Sequence, residues 1–223
     1  MIGRPKDLQT LYANRFTPEE MAWKRRVWQI LWEELFSRWI RPTDVLLDVG
    51  AGACEFVNVA RAARRIAVDL NPDTARVAAP GVEVQQRAAT DLSFLRDGEV
   101  DVVFTSNFLE HLPSKDEVER VLREARRVLR PGGTLLAMGP NIRFLASHYW
   151  DYFDHLVPLS DRSLAEAIVS TGFRLEEVWP RFLPYSVKGG GPRWDWLVRT
   201  YLRALPVSSR VLGRQFLIRA VAA

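Results

Sequence analysis

Residues 45–56 constrain the fold of this chain more than any other stretch. The first five are apolar except for Asp48, which is typical of a buried strand with an acid near its carboxyl end. Gly50 and Gly52 follow directly, and an apolar-periodic segment over residues 56–63 comes next. A strand, a glycine turn and a helix in this order open a βαβ unit in which a ligand lies against bare main chain. The pattern therefore predicts an α/β fold with a ligand at this turn.

Six further segments have the alternating or continuous apolar character of strands. They cover residues 65–70, 82–87, 100–106, 134–138, 173–179 and 214–222. Helices are predicted over about residues 18–39, from residue 114 up to the Pro-Gly-Gly at 131–133, over 160–171 and over 194–205. Strands that alternate with helices are typical of one α/β domain, and 223 residues suit a single domain of this kind.

Two acids near the glycine turn indicate what the ligand contains. Asp69 ends the second strand, 21 residues after Asp48, which is the position from which a carboxylate can accept hydrogen bonds from ribose hydroxyls. The alternative is that Asp69 and Asn71 only shape a turn and cap a short helix. Glu55 occupies the position at which dinucleotide-binding turns have their third glycine, and its charge would repel a pyrophosphate. A ligand without phosphates is therefore favoured.

The turn resembles motif I of the class I S-adenosylmethionine (SAM)-dependent methyltransferases, through Asp48, Gly50 and Gly52. Cys54 departs from that motif, which usually has a third glycine there. The run from Asp101 through Leu-Glu-His-Leu and Val-Leu-Arg-Pro-Gly-Gly to the fifth strand also resembles these enzymes. The resemblance covers about residues 43–140 and comes closest to the type 11 and type 12 bacterial methyltransferases.

The resemblance implies a Rossmann-like, seven-stranded, mostly parallel sheet with helices on both faces and an antiparallel last strand. It implies SAM as cofactor and S-adenosylhomocysteine as product. Leu70 would lie under the adenine, and Asp91 would hold the adenine amino group. The residues expected to bind the cofactor are Asp48, Gly50, Ala51, Gly52, Asp69, Leu70, Asp91, Leu92 and Asn107.

The expected organisation has two parts. Residues 1–41 form an N-terminal helical cap, and residues 42–223 form the SAM-binding domain. Within that domain, residues 181–213 form a loop-helix insert before the last strand, which the resemblance makes the substrate-recognition element.

Methyl transfer to oxygen or nitrogen can require removal of a proton from the acceptor. His155 is the best candidate for the base, with Asp154 beside it as an orienting carboxylate, and His111 is the second candidate. The neighbouring stretch 141–154 is rich in aromatic residues and could form the wall of a substrate pocket. No metal site is expected, because the histidines are too far apart along the chain for an obvious ligand set.

Charge and composition limit the partners. Residues 42–180 carry a net charge of −6 (15 basic, 21 acidic), whereas residues 181–223 carry +7 (8 basic, 1 acidic). The basic end favours an anionic surface as partner, with a merely solvated tail as the alternative. No run approaches about 20 apolar residues, no signal-peptide core is seen, and the single cysteine suits a reducing compartment, so a cytoplasmic location is expected. The sequence leaves the oligomeric state open.

The leading functional hypothesis is a SAM-dependent methyltransferase that acts on an O or N nucleophile of a small-molecule, glycan or lipid-linked acceptor. An RNA or other nucleic-acid methyltransferase is the alternative enzyme, although no Asn-Pro-Pro-Tyr type tetrapeptide follows the fourth strand. A SAM-binding partner subunit without catalysis remains open as a different class. A dinucleotide oxidoreductase is disfavoured by Glu55.

Overall fold

A seven-stranded sheet forms the centre of the fold, with strand order β3-β2-β1-β4-β5-β7-β6. The computed structural model describes residues 17–185, 193–205 and 207–223. The strands are β1 (Val45–Val49), β2 (Arg64–Val68), β3 (Val82–Gln85), β4 (Val100–Ser106), β5 (Leu129–Pro140), β6 (Phe173–Trp179) and β7 (Gln215–Ala222). The first five strands pair in parallel, and β7 pairs antiparallel with β5 on one side and β6 on the other. The predicted Rossmann-like sheet and its antiparallel last strand are confirmed.

Helices cover the sheet between these strands. They are α1 (Pro18–Glu34), α2 (Glu55–Val59), α3 (Thr74–Val77), α4 (Lys115–Val128), α5 (Ile142–Leu145), α6 (Asp161–Ser170), α7 (Asp195–Arg203) and α8 (Val207–Leu212). Short 3-10 turns cover Phe36–Arg38, Leu109–His111 and Ala146–Asp151. None of the helices in the described residues is both long and apolar enough to cross a membrane.

The predicted helix starts are correct where polar caps mark them. The Thr17 side chain accepts from the amide of Glu20, whose carboxylate accepts from the amide of Thr17, so α1 begins with a complete capping box. Ser114 caps α4 by accepting from the amide of Glu117. A cap satisfies backbone amides that have no partner inside the helix, which is why the sequence locates these starts well.

Several boundaries differ from the sequence prediction, and one helix was missed. The first helix ends at Glu34 and continues only as a 3-10 turn, and β5 begins at Leu129 rather than at 134. Helix α8, after α7, was not predicted. Residues 1–16 of the predicted N-terminal cap, and residues 186–192 and 206 of the predicted insert, lie outside the described residues.

Aromatic packing joins α1 to one face of the sheet. Phe36 is fully buried, and its ring centroid lies 5.3 Å from that of Phe56 and 5.4 Å from that of Phe104. Trp28 packs on the same two phenylalanines at 5.7 and 5.9 Å. These rings belong to one core cluster, which also contains Phe182 and residues of β1, β4, β5 and β7. The N-terminal helix therefore completes the layer that covers this face.

The arginines of α7 tie that helix to α1. Arg199 contacts Glu33 and Glu34, each at 2.5 Å, and Arg203 contacts Glu34 at 3.0 Å. Arg26 of α1 pairs with Asp195 at the start of α7. Hydrogen bonds to these acids raise the pKa of Arg26, Arg199 and Arg203. Hydrogen bonds from arginine lower the pKa of Glu34 and Asp195, whereas the pKa of Glu33 is lowered first by the hydrogen bond from Gln29 and then by that from Arg199. Part of the basic charge predicted to face a polyanion is therefore neutralised within the fold.

We expect Phe36→Ala to lower the free energy of unfolding by about 3–5 kcal/mol, because it leaves a cavity among closely packed aromatic rings. Chemical denaturation followed by circular dichroism measures this change. Ser37→Ala, at an exposed neighbouring position, is the control and should stay within about 0.5 kcal/mol of the wild type. A loss below about 1 kcal/mol for Phe36→Ala would contradict the role given to this cluster.

Candidate active site

The carboxyl ends of the parallel strands β3, β2, β1 and β4 lie side by side at one edge of the sheet. The glycine turn follows β1, Asp69 follows β2, and Asn107 follows β4. Asp48 pairs in register with Ala67 of β2 and with Phe104 of β4. Residues that are far apart in the sequence therefore meet at this edge, as ligand-binding residues do in open α/β sheets.

The glycine turn has one crowded glycine and one open glycine. Gly50 adopts a φ of +72°, and a Cβ built on it would lie 2.6 Å from the Cβ of Phe108 and would overlap its ring. Gly52 adopts a φ of +50°, and a Cβ built there would have nothing within 4 Å. The main chain at Gly52 therefore faces free space against which a ligand can lie, while Gly50 permits the close approach of Phe108.

Three carboxylates surround this turn. Burial raises the pKa of Asp48 well above its usual range, with the negative charges of Asp69 and Glu55 adding to the effect. Burial also raises the pKa of Asp69, although backbone amides partly offset that effect. Lys24 pairs with Glu55 at 3.0 Å. The site therefore concentrates negative potential, which favours a cationic ligand over a phosphate.

Asp69 makes hydrogen bonds that hold the turn and leave further capacity. One of its oxygens accepts from the amide of Gly52 at 2.7 Å, and the other accepts from the amide of Asn71 at 2.8 Å. The Asn71 side chain accepts in turn from the amide of Asp73 at 3.0 Å. A carboxylate offers about four lone-pair sites, so Asp69 can shape the turn and still accept from two ribose hydroxyls.

The remaining residues predicted to bind the cofactor have different exposures. Leu70 is 54% exposed beside the turn, as expected of a residue that would lie under an adenine. Asp91 is exposed and accepts from the amide of Ser93 at 3.2 Å. The Leu92 side chain is fully buried in the core, so only its main chain can face a ligand. Ala51 is nearly buried, and Asn107 adopts a φ of +48° after β4.

The chemistry of these groups fits SAM. The ligand combines vicinal ribose hydroxyls, which match the free acceptor positions of Asp69, with a sulfonium and an ammonium group, which match the buried acids. The open space at Gly52 provides bare main chain for the ligand to approach.

Two histidines meet at the turn that follows Phe108. The ring centroids of His111 and His155 are 5.0 Å apart, although 44 positions separate them in the sequence. The Nδ1 atom of His111 lies 2.9 Å from the carbonyl oxygen of Asp154, and Nδ1 of His155 lies 2.8 Å from the carbonyl oxygen of Tyr149. The structure therefore brings both predicted base candidates into one cluster.

The carboxylate of Asp154 lies beside His111. Its Oδ2 atom is 3.4 Å from Nδ1 of His111, whereas Nδ1 of His155 is held by the main chain of Tyr149. The sequence led us to expect Asp154 to orient its immediate neighbour, His155. Consecutive side chains in an extended or turning segment point in different directions, which explains why the contact is made across the chain instead.

The cluster includes an acid that the sequence prediction missed. Glu110 is only 2% exposed, and burial raises the pKa of its carboxyl group. Its Oε1 atom lies 4.0 Å from Nε2 of His111. Its main-chain carbonyl accepts from the amides of Leu156 and Val157 at 2.8 and 3.0 Å, which ties the 109–111 turn to the segment that carries His155. The sequence signal was present, since Glu110 lies in the Leu-Glu-His-Leu motif, but polar residues are usually exposed.

Tyrosines surround His155. The ring of Tyr152 stacks on it at 5.2 Å, the ring of Tyr149 lies at 4.7 Å, and the hydroxyl of Tyr185 is 3.5 Å from its Nε2 atom. Phe153 is 92% exposed, and Trp150 and Leu156 are each 54% exposed nearby in the same segment. The aromatic stretch predicted to form a pocket wall therefore presents tyrosines to the cluster and apolar side chains to solvent.

Phe108 connects the two halves of the site. Its ring covers Gly50, and the next three residues form the turn that carries Glu110 and His111. Three residues span at most about 10 Å, so the histidine cluster lies close to the glycine turn. A separate surface recess of about 510 Å³ lies at the other edge of the sheet, where Pro42 and Ala62 precede β1 and β2, and it is unconnected with this chemistry.

Comparisons with known proteins agree with this geometry. Residues 47–137 match the model of the methyltransferase domain family. A protein from Aspergillus luteorubrus named as a probable methyltransferase is 26% identical over 170 residues, covering 69% of this chain and 58% of that protein. A 37.1 kDa protein of transposon TN4556 from Streptomyces fradiae is 30% identical over 163 residues, covering 63% of this chain and 46% of that protein. The chain thus spans about half the length of these relatives.

The fold has close structural counterparts. A SAM-dependent methyltransferase from Archaeoglobus fulgidus superposes with a TM-score of 0.66 at 20% identity, and the match covers 88% of this chain and 94% of that one. SAM is the cofactor implied by the domain match and by such neighbours. The domain match identifies residues 47–137 as a methyltransferase domain, and the chain shares the fold of SAM-dependent methyltransferases.

Proposed function

We propose that this protein transfers a methyl group from SAM to an O or N nucleophile of a small-molecule, glycan or lipid-linked acceptor. The observation that carries the proposal is the pairing of an acidic glycine turn with a histidine cluster one short turn away. The cofactor supplies an activated methyl group. The protein must then align nucleophile, methyl and sulfur, which is a task of orientation.

On the cofactor side, Asp69 binds the ribose hydroxyls, and Asp48 contributes the negative potential that favours the cationic ligand. Gly50, Ala51 and Gly52 present main chain to it, and the neighbouring strand ends contribute further contacts. These are made by Leu70, Asp91, Leu92 and Asn107. The assignments rest on the position of these residues at one edge of the sheet.

On the acceptor side, His155 activates the nucleophile, with His111 and Asp154 beside it. An imidazole can do this by accepting the proton itself, or by holding a cation that lowers the pKa of the acceptor. The tyrosines around His155 orient the reacting group. The exposed side chains of Trp150, Phe153 and Leu156 favour an acceptor with an apolar portion, such as a lipid-linked glycan.

The ion pairs of α7 weigh against a nucleic-acid acceptor. Arg199 and Arg203 are engaged by Glu33 and Glu34, and Arg219 pairs with Glu177 at 2.8 Å. A protein that binds nucleic acid needs arginines that neutralise phosphates.

A non-catalytic SAM-binding subunit is distinguished by experiment: labelled SAM incubated with a panel of sugar, lipid-linked and RNA acceptors gives a methylated product only if the chain is an enzyme.

We expect Asp69→Ala to weaken SAM binding by about 100-fold, because two hydrogen bonds to a charged acceptor are lost. Isothermal titration calorimetry measures the dissociation constant. Asp73→Ala, at a half-buried position beyond the predicted cofactor contacts, is the matched control and should bind SAM as the wild type does. Unchanged affinity in a folded Asp69→Ala protein would remove the ribose assignment.

Asp48→Asn should stabilise the ligand-free protein at about pH 8 and weaken SAM binding. The raised folded pKa of Asp48 means that its contribution to stability is present below its unfolded pKa of about 4 and is lost as pH rises through the folded value. The asparagine amide does not ionise, so the variant does not lose this stability as the pH rises. Each unit of difference between the folded and unfolded pKa of Asp48 corresponds to about 1.4 kcal/mol in the free energy of unfolding. Denaturation at about pH 4 and about pH 8 compares the two proteins. If the variant and the wild type were equally stable at each of the two pH values, the expectation would be refuted.

His155→Asn should lower turnover by about 100-fold or more while changing SAM affinity little. The asparagine amide can still donate to the carbonyl of Tyr149 but lacks the second ring nitrogen. His148→Ala is the control, because His148 is exposed in the same segment and its ring pairs with Asp151. Steady-state kinetics with an acceptor identified in the panel assay measures the turnover. Wild-type rates in both variants would contradict the proposal.

A further inference from the structure

We propose that Glu110, His111 and His155 form a binding site for one divalent first-row transition-metal ion on the acceptor side of the active site. One carboxylate oxygen and one nitrogen from each imidazole lie within 4.8 Å of one another. Spacing along the chain conceals this set, because His155 joins the other two only when the sheet edge is assembled. The binding of the ion stands on the geometry alone; its catalytic role rests on the proposed function.

In both imidazole rings, Nδ1 is the nitrogen that contacts the main chain. Each Nδ1 atom faces a main-chain carbonyl, that of Asp154 for His111 and that of Tyr149 for His155. A carbonyl oxygen only accepts, so Nδ1 carries the proton in each neutral ring, and the lone pair is on Nε2. Metal-binding histidines are oriented in this manner, with the second ring nitrogen donating to a carbonyl or a carboxylate.

The main chain already holds the three side chains near each other. The carbonyl of Glu110 accepts from the amides of Leu156 and Val157, and the hydroxyl of Tyr149 donates to the carbonyl of Val157. These contacts fix the 109–111 turn against the segment that carries His155. Ligand atoms around one ion at about 2.1 Å lie roughly 3.0–3.5 Å apart, so the cluster must contract by about 1 Å on binding.

The donor set indicates the class of ion. Two imidazoles and one carboxylate suit manganese, iron, cobalt, nickel or zinc better than magnesium, which prefers oxygen ligands. Three protein ligands leave coordination positions open, as catalytic sites do. Trp150, Phe153 and Leu156 are exposed in the segment that carries His155, so an acceptor that docks on them can reach an open position.

The ion would then activate an acceptor hydroxyl. Coordination lowers the pKa of the hydroxyl, whose proton leaves to solvent, and the resulting oxyanion is the nucleophile. The O–CH3 bond forms as the S–CH3 bond breaks, and both electrons of the broken bond remain on sulfur. The products are the methyl ether, neutral S-adenosylhomocysteine and the released proton.

Calorimetric titration of the chelator-treated protein with Mn²⁺ or Zn²⁺, without SAM or acceptor, tests the binding. We expect one ion per chain at micromolar affinity, weaker binding of Mg²⁺, and a loss of about 10-fold or more in Glu110→Gln, His111→Asn and His155→Asn. His148→Ala should bind the ion as the wild type does. Three ligand variants are used so that one misfolded protein, detected by circular dichroism, still leaves two to be measured.

Absence of stoichiometric binding to the wild type at about 1 mM metal would overturn the proposal, as would unchanged affinity in the folded ligand variants. The catalytic role has a separate test. Chelation should abolish turnover, and Mn²⁺ or Zn²⁺ should restore it, whereas full turnover of the chelated enzyme would reject the role of the ion in activating the acceptor. Because binding is measured without turnover, its failure is distinguishable from failure of the proposed methyl transfer.

Discussion

The burial of Asp48 beneath the glycine turn, close to Asp69 and Glu55, is the constraint on which the site depends. Three like charges in a partly buried space are unfavourable unless a cation or a proton compensates them, and within the described residues Lys24 pairs with Glu55. The fold tolerates this because the sheet and α1 supply a large apolar core around it. The unfavourable charge is thereby kept in place for a cationic ligand that relieves it.

Phe108 gives the two halves of the site a shared wall. Its ring lies on Gly50, so the glycine turn and the turn that carries Glu110 and His111 cannot move independently. Glu110 extends the same connection by accepting two amides from the 156–157 segment. A chain of direct contacts thus runs from the glycine turn to the tyrosines around His155.

Much of the fold could be predicted from the sequence because it is encoded locally. The strands β4 and β6 and the caps at Thr17 and Ser114 were located from apolar patterns and polar caps. The edge of the sheet at which a ligand is expected was predicted from the spacing of glycines and acids in one βαβ unit. The individual cofactor contacts stay predictions. What the sequence could not provide is contact between distant segments. The approach of His155 to His111, the partner of Asp154 and the burial of Glu110 all depend on how the 141–157 segment folds back over the 109–111 turn.

Helix α8 and the early start of β5 were missed for a different reason. Both are weakly marked locally and are decided by pairing and packing elsewhere: Leu129 joins the sheet opposite Val100, and α8 follows α7 after a short connection. Tertiary contacts commonly override local propensity in such segments.

The position of β7 affects how the protein is made. Residues 215–222 follow both β5 and β6 in the chain, yet they lie between these two strands and provide hydrogen bonds to both. Until β7 has been synthesised, β5 and β6 have open edges that can pair with other chains. We therefore infer that products terminated before residue 215 are prone to aggregate, and that a variant without β7 is a poor route to a smaller, well-behaved protein.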